Sequence, residues 1–238
     1  MNQFVAPKLT RINKIILIIA IGLFLIGAIS NAVGAFKLPW ILGLSGSGIS
    51  KGFVFQLFTY PFVETSFMGI LFKSLIVWFI GSELEKQWGE RIYLRFMLLL
   101  VLGVGIIYSA ATILFLNGTN FYTSPLYGLS GINLAYLVAY ATLFPDRQMA
   151  FMMLFPMKAK TFCWILVAIE AYTALVSSAN TAWAHLLAMG IGFLVIRYQN
   201  KPLLRNFFQK SWKAPKPKKG KHLHIVKDDE KGPPKYWQ

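Results

Sequence analysis

Six apolar runs restrict this chain to one kind of folded object. They lie at about 15–36, 66–80, 93–116, 124–145, 161–176 and 180–196. A stretch of about 20 mostly apolar residues is long enough to cross a bilayer as a helix. The composition agrees: 56% of the 238 residues are hydrophobic, 14% are charged, and the mean hydropathy is +0.54. A soluble domain does not carry that much apolar surface. The expectation is an all-α, multi-pass membrane protein.

The basic start, with Lys8, Arg11 and Lys14, precedes an apolar run longer than a signal peptide's core and is followed by further spans. It reads as a retained anchor. Residues 37–58 carry Pro39, Trp40 and the string LSGSGIS, and read as a partly amphipathic connection lying in the interface. The single cysteine, Cys163, allows no internal disulfide and no cysteine-based metal site. No metal and no cofactor are expected.

Twenty-one of the 24 lysines and arginines fall in the N-terminus, the second-to-third connection, the fourth-to-fifth connection and the tail. Six spans put those four segments on one side, and the positive-inside rule makes that side cytoplasmic. The chain divides into a cytoplasmic N-terminus at 1–14, a membrane domain at 15–196 and a basic cytoplasmic tail at 197–238. The tail is rich in proline and poor in large aliphatic residues, so it is expected to be disordered. Its charge, most of the net +15, suits anionic lipid and needs no nucleic acid. A bacterial inner membrane is the expected location. Asn117-Gly118-Thr119 matches a glycosylation acceptor, relevant only in a secretory pathway. Trp88, Trp164 and Trp183 suit interfacial anchors.

Residues 121–145, FYTSPLYGLSGINLAYLVAYATLFP, put a Gly-Leu-Ser-Gly turn at the head of an apolar run. A helix of about 18 to 20 residues is expected there, entering from the outer side near Ser124. Ser130 would then lie about six residues, or roughly 9 Å, below the surface. A serine nucleophile needs a base, room for the carbonyl, and donors for the oxyanion. Gly128 and Gly131 give room, and a helix start gives free N–H groups. Of the three histidines, His222 and His224 lie in the tail, so His185 is the candidate base. It sits about five residues into the sixth run, roughly 7.5 Å deep. The depths match. Gly131, Ala135, Ala184, Ala188 and Gly192 are small enough to let the two helices approach closely. Each motif alone is weak: a serine or a lone histidine in an apolar helix is more often a packing residue than a catalyst.

A Gly-x-Ser-Gly on the fourth helix and an Ala-His on the sixth resemble the rhomboid family of intramembrane serine proteases. Further matches are QLFTYPF at 56–62, Gly81-Ser-Glu-Leu-Glu85 with Gly89, and Ala184-His185 with Gly192, where Ala188 replaces one glycine. The resemblance covers about 55–197 and implies a six-transmembrane-helix rhomboid-like bundle. It also implies a Ser130–His185 dyad cleaving transmembrane protein substrates near the outer face. The chain departs from the family at its oxyanion donors: Gly69 and Lys73 stand where a histidine and an asparagine are usual. Glu64 matches an earlier histidine, and Leu134 an aromatic residue. Gly128, Gly131, Gly69 and Lys73 are thus the expected surroundings of the oxyanion and substrate. Lys73 and Glu170 fall at similar depth, and an ion pair between them is expected. Lys73 could instead replace the missing oxyanion donor. The alternative function is a catalytically weak or inactive rhomboid-like protein that binds transmembrane clients. A transporter or channel has only the intramembrane Lys73 and Glu170 in its favour and no inverted repeat.

Overall fold

The computed structural model describes residues 7–151, 155–176 and 180–198. The first helix, α1 (Arg11–Val33), carries a broad lipid-ready face that includes Ile18, Leu25 and Ile29. Three short helices follow: α2 (Leu38–Leu42), α3 (Gly46–Ser50) and α4 (Gln56–Thr59), the last tightening into a 3-10 turn at Tyr60–Phe62. This is the amphipathic connection expected. Trp40, Phe53, Phe55 and Phe58 are exposed, whereas Leu44, Gln56 and Tyr60 are buried. Gln56 anchors the connection by accepting from Ser45 N and donating to Ile41 O.

Next, α5 (Phe67–Ile76) passes through a π turn at Val77–Gly81 into α6 (Ser82–Trp88). Gly89, at φ +80°, makes the left-handed corner into α7 (Glu90–Phe115), a conformation L residues with a Cβ rarely adopt. The single-turn α8 (Asn120–Thr123) precedes α9 (Ser130–Leu143). A short antiparallel hairpin, β1 (Gln148–Phe151) with β2 (Phe155–Lys158), leads into α10 (Ala159–Val176), and α11 (Asn180–Tyr198) closes the bundle. The hairpin was not foreseen, because its half-apolar sequence carries no clear alternation.

Among the described residues, five helices are long and apolar enough to cross a membrane: Arg11–Val33, Phe67–Trp88, Glu90–Phe115, Ala159–Val176 and Thr181–Tyr198. The sixth apolar helix, α9, has 14 residues, about 21 Å of rise against a hydrocarbon core of about 30 Å. It can be short because it is enclosed. Every residue from Ile132 to Ala141 is buried, and α5, α7, α10 and α11 pack around it.

The expected helix of about 18 to 20 residues is therefore too long. It starts at Ser130, and residues 124–129 are irregular. Two residues explain the break. Pro125 disfavours helix in the residue before it, and Gly128 has φ +105°. Irregular backbone at membrane depth must be satisfied by protein. Leu126 exchanges both backbone hydrogen bonds with Leu44, at 2.8 and 2.7 Å, and Gly128 N donates to Tyr60 O at 2.9 Å.

At the opposite end, Glu85 caps α1. Its buried carboxylate accepts from Thr10 Oγ1, Ile12 N, Asn13 N and Asn13 Nδ2, while Tyr93 OH donates to Asn13 Oδ1 at 2.6 Å. This explains why α1 starts at Arg11, before the apolar run begins: a carboxylate satisfies N–H groups that a helix start leaves free. Arg147 to Glu83 (2.9 Å) and Arg11 to Glu90 (3.9 Å) bring the basic connections to the same end of the bundle. Glu85→Ala strips four donors of their acceptor. It is expected to cost about 3 kcal/mol, read as a lower melting temperature in detergent.

The basic tail expected at 197–238 lies, beyond Tyr198, outside the described residues. So do residues 177–179, between the fifth and sixth apolar runs.

Candidate active site

The contact between α9 and α11 is built on small residues, as expected. A Cβ added at Gly131 would lie 3.6 Å from Ala188 Cβ, and one at Gly192 would lie 3.2 Å from Ala135 O. Ala135, Ala184 and Ala188 are all buried. The two backbones approach closely where these small residues meet, and Leu134 and Val138 of α9 pack with Met189 of α11 beside them.

His185 projects from the first turns of α11 toward the start of α9. A Cβ at Gly131 would lie 3.9 Å from His185 Cδ2, the ring carbon bonded to Nε2. Nδ1, on the other side of the ring, lies 3.1 Å from Glu170 Oε2 on α10. Both side chains are largely shielded, at 15% and 19% exposure. Among the described residues, the Ser130 hydroxyl makes no hydrogen bond, with His185 or any other group. Ser130 and His185 thus stand on adjoining helices at the same end of the seam, without a direct bond between them.

The start of α9 leaves donors unused. Asn133 N donates to Leu129 O, but among the described residues the N–H groups of Ser130, Gly131 and Ile132 have no acceptor. Beside them a cavity of about 20 Å³, room for one water, is lined by Tyr60, Tyr127, Gly128, Gly131, Ala184 and His185, among others. A larger cavity of about 670 Å³ opens between α1, the α2 segment, the start of α5 and residues 124–127. Tyr127 lines both, so it stands between the outer cavity and the seam.

Lys73 does not pair with Glu170. Its ammonium hydrogen-bonds Glu64 Oε2, and Glu170 is taken by His185. Glu64 is 6% exposed and Lys73 is 25% exposed. The partner is local because Glu64, in the irregular segment before α5, faces back over the first turns of that helix. Depth alone could not separate it from Glu170. Gly69 leaves room for this carboxylate, since a Cβ there would come within 3.2 Å of Glu64 Oε1. The ion pair abuts the serine turn: a Cβ at Gly128 would lie 3.3 Å from Lys73 Nζ and 3.4 Å from Glu64 Oε2. Asn133 Nδ2 donates to Lys73 O at 2.9 Å and ties α5 to α9.

Sequence reasoning missed two partners. Glu64 gave no signal, because its nine-residue separation from Lys73 is no helix spacing. Glu170 and His185 did give one: they lie close to equally far from the facing ends of α10 (Val176) and α11 (Asn180), so an antiparallel pair brings them nearly level.

An enclosed short helix carrying a glycine-flanked serine, packed on a helix carrying a histidine, defines a rhomboid-like arrangement in an integral, multi-pass membrane protein. The chain belongs to the family described as "Eukaryotic integral membrane protein (DUF1751)", which it matches over residues 14–206. It is also similar to a protein named "Rhomboid-like protein 19" from Arabidopsis thaliana, at 24% identity over 156 residues, covering 63% of this chain. The chain spans about half the length of that relative. The family's eukaryotic description gives no support to the bacterial inner membrane expected from the sequence.

Proposed function

We propose that this chain is a rhomboid-like intramembrane serine endopeptidase acting on transmembrane protein substrates. The observation that carries this reading is the facing of His185 and the start of α9 across the small-residue seam, where the N–H groups of Ser130, Gly131 and Ile132 have no acceptor among the described residues. Ser130 Oγ attacks the scissile carbonyl and its proton passes to His185 Nε2, which then protonates the leaving amine. Water, activated by the same imidazole, hydrolyses the acyl-enzyme. The N–H groups of Ser130 and Gly131 receive the oxyanion. Substrate enters from the outer cavity past Tyr127. The termini lie in the cytoplasm, and the basic tail rests on anionic lipid.

Lys73 takes the place of the missing oxyanion side chains in this reading, since its ammonium lies against Gly128. Removing it alone would strand the buried Glu64, so the informative variant is the pair Glu64→Gln with Lys73→Met. Loss of both charges is near neutral for stability. The double variant is expected to keep its melting temperature and to react with a fluorophosphonate about 10²-fold more slowly. Unchanged reactivity would confine the pair to a structural role.

A second reading, a catalytically weak or inactive protein that binds transmembrane clients, is favoured by two facts. Ser130 and His185 share no hydrogen bond, and Lys73 is already engaged by Glu64. Fluorophosphonate labelling of the native chain separates the two readings. Labelling that disappears in Ser130→Ala supports the peptidase, and an unlabelled native chain supports the binder.

A further inference from the structure

The seam holds one titratable contact that the two-residue mechanism leaves idle: Glu170 on α10 against His185 Nδ1. We propose that Glu170 is a positioning residue, the third member of a Ser130–His185–Glu170 arrangement; this rests on the peptidase reading above.

Geometry carries the assignment. Glu170 Oε2 lies 3.1 Å from Nδ1, while Cδ2 on the other side of the ring faces Gly131. The imidazole is therefore held from behind by the carboxylate and presents its Nε2 side to the helix that starts with Ser130. A carboxylate only accepts hydrogen bonds, so a neutral ring bound to it must carry its proton on Nδ1. Nε2 is then left with the free lone pair, the form a base needs to take the serine proton. Once His185 holds that proton, the developing imidazolium stands beside an anion in a site sheltered from water.

The placement also answers a cost. A carboxylate within a membrane-spanning helix is expensive and is retained where a partner or a pathway uses it. Lys73, the cation nearest in expected depth, is bound to Glu64 instead. The other titratable groups lining the small cavity are the Tyr60 and Tyr127 phenols. An acceptor of any kind would satisfy the Nδ1–H; a carboxylate at Glu170 adds a charge that also stabilises the imidazolium.

Two readouts test this on the full-length protein in detergent. The first is the ¹⁵N spectrum of histidine-labelled protein, with the His185 signals assigned through His185→Gln. The second is the rate of fluorophosphonate labelling in the native chain, Glu170→Ala and Glu170→Asp, with Ser130→Ala as the blank. The native His185 is expected to be the Nδ1–H tautomer when neutral. Glu170→Ala should label at least about 10-fold more slowly at an unchanged melting temperature, and Glu170→Asp should recover part of the loss. An Nε2–H tautomer in the native protein, or a Glu170→Ala variant that labels as fast as the native chain, overturns the role of Glu170 and leaves the peptidase standing. No Ser130-dependent labelling in the native chain overturns both. Should Glu170→Ala fail to fold, the native tautomer and the Glu170→Asp rate still decide.

Discussion

Ser130→Ala and His185→Ala are each expected to lower cleavage of a transmembrane reporter in proteoliposomes by about 10³-fold or more, the first with no loss of folded protein. The two groups act on one proton, so the double variant should fall no further than either single one. The Ser130 side chain does not hold the bundle together. Ser130 makes no hydrogen bond with any described residue, and His185 spends only Nδ1, on Glu170. Stability is therefore expected to change by less than about 1 kcal/mol for Ser130→Ala. If the single variants cleave as well as the native chain, the client-binding reading replaces the peptidase.

The second large effect belongs to the seam. A Cβ at Gly192 would meet Ala135 at 3.2 Å from its Cβ and O and 3.3 Å from its Cα, mostly backbone, which cannot rotate away. Gly192→Leu must push α11 off α9. Overpacking of this kind costs about 1 to 3 kcal/mol and occasionally more, and here it also separates the histidine from the serine helix. The melting temperature should fall and labelling of Ser130 should fall with it. Gly190, two residues earlier on the same helix, supplies the control. Nothing lies within 4 Å of its Cβ position and it is exposed, so Gly190→Leu should shift stability by less than about 0.5 kcal/mol. Equal effects at the two positions would mean that the seam does not hold the site.

The parts of this fold that could be read from the chain are those set by hydrophobicity and side-chain size. Apolar runs located the long helices, and the small residues Gly131, Ala135, Ala188 and Gly192 allowed for the close approach of α9 and α11. The start of α9 could not be read that way. Residues 121–129 stay largely apolar while Pro125 and Gly128 end regular structure, so hydropathy runs past the true boundary by six residues. Partner choice was the other blind spot. Three ionisable side chains, Lys73, Glu170 and His185, fall at similar depth, and depth does not give azimuth around a helix. The irregular segment holding Glu64 reaches Lys73 first, which leaves Glu170 to the histidine. Glu85 shows the same point from the other end: the glycine-spaced motif carrying it was visible in the sequence, but its use as the cap of α1 was not.

The most direct measurement is the intact mass of the purified full-length protein after diisopropyl fluorophosphate, followed by peptide mapping of the adduct. One phosphoryl adduct on Ser130, absent in His185→Ala, is the result predicted. An unmodified chain, or an adduct on any other residue, contradicts the claim that the serine at the head of α9 is activated by the histidine across the seam.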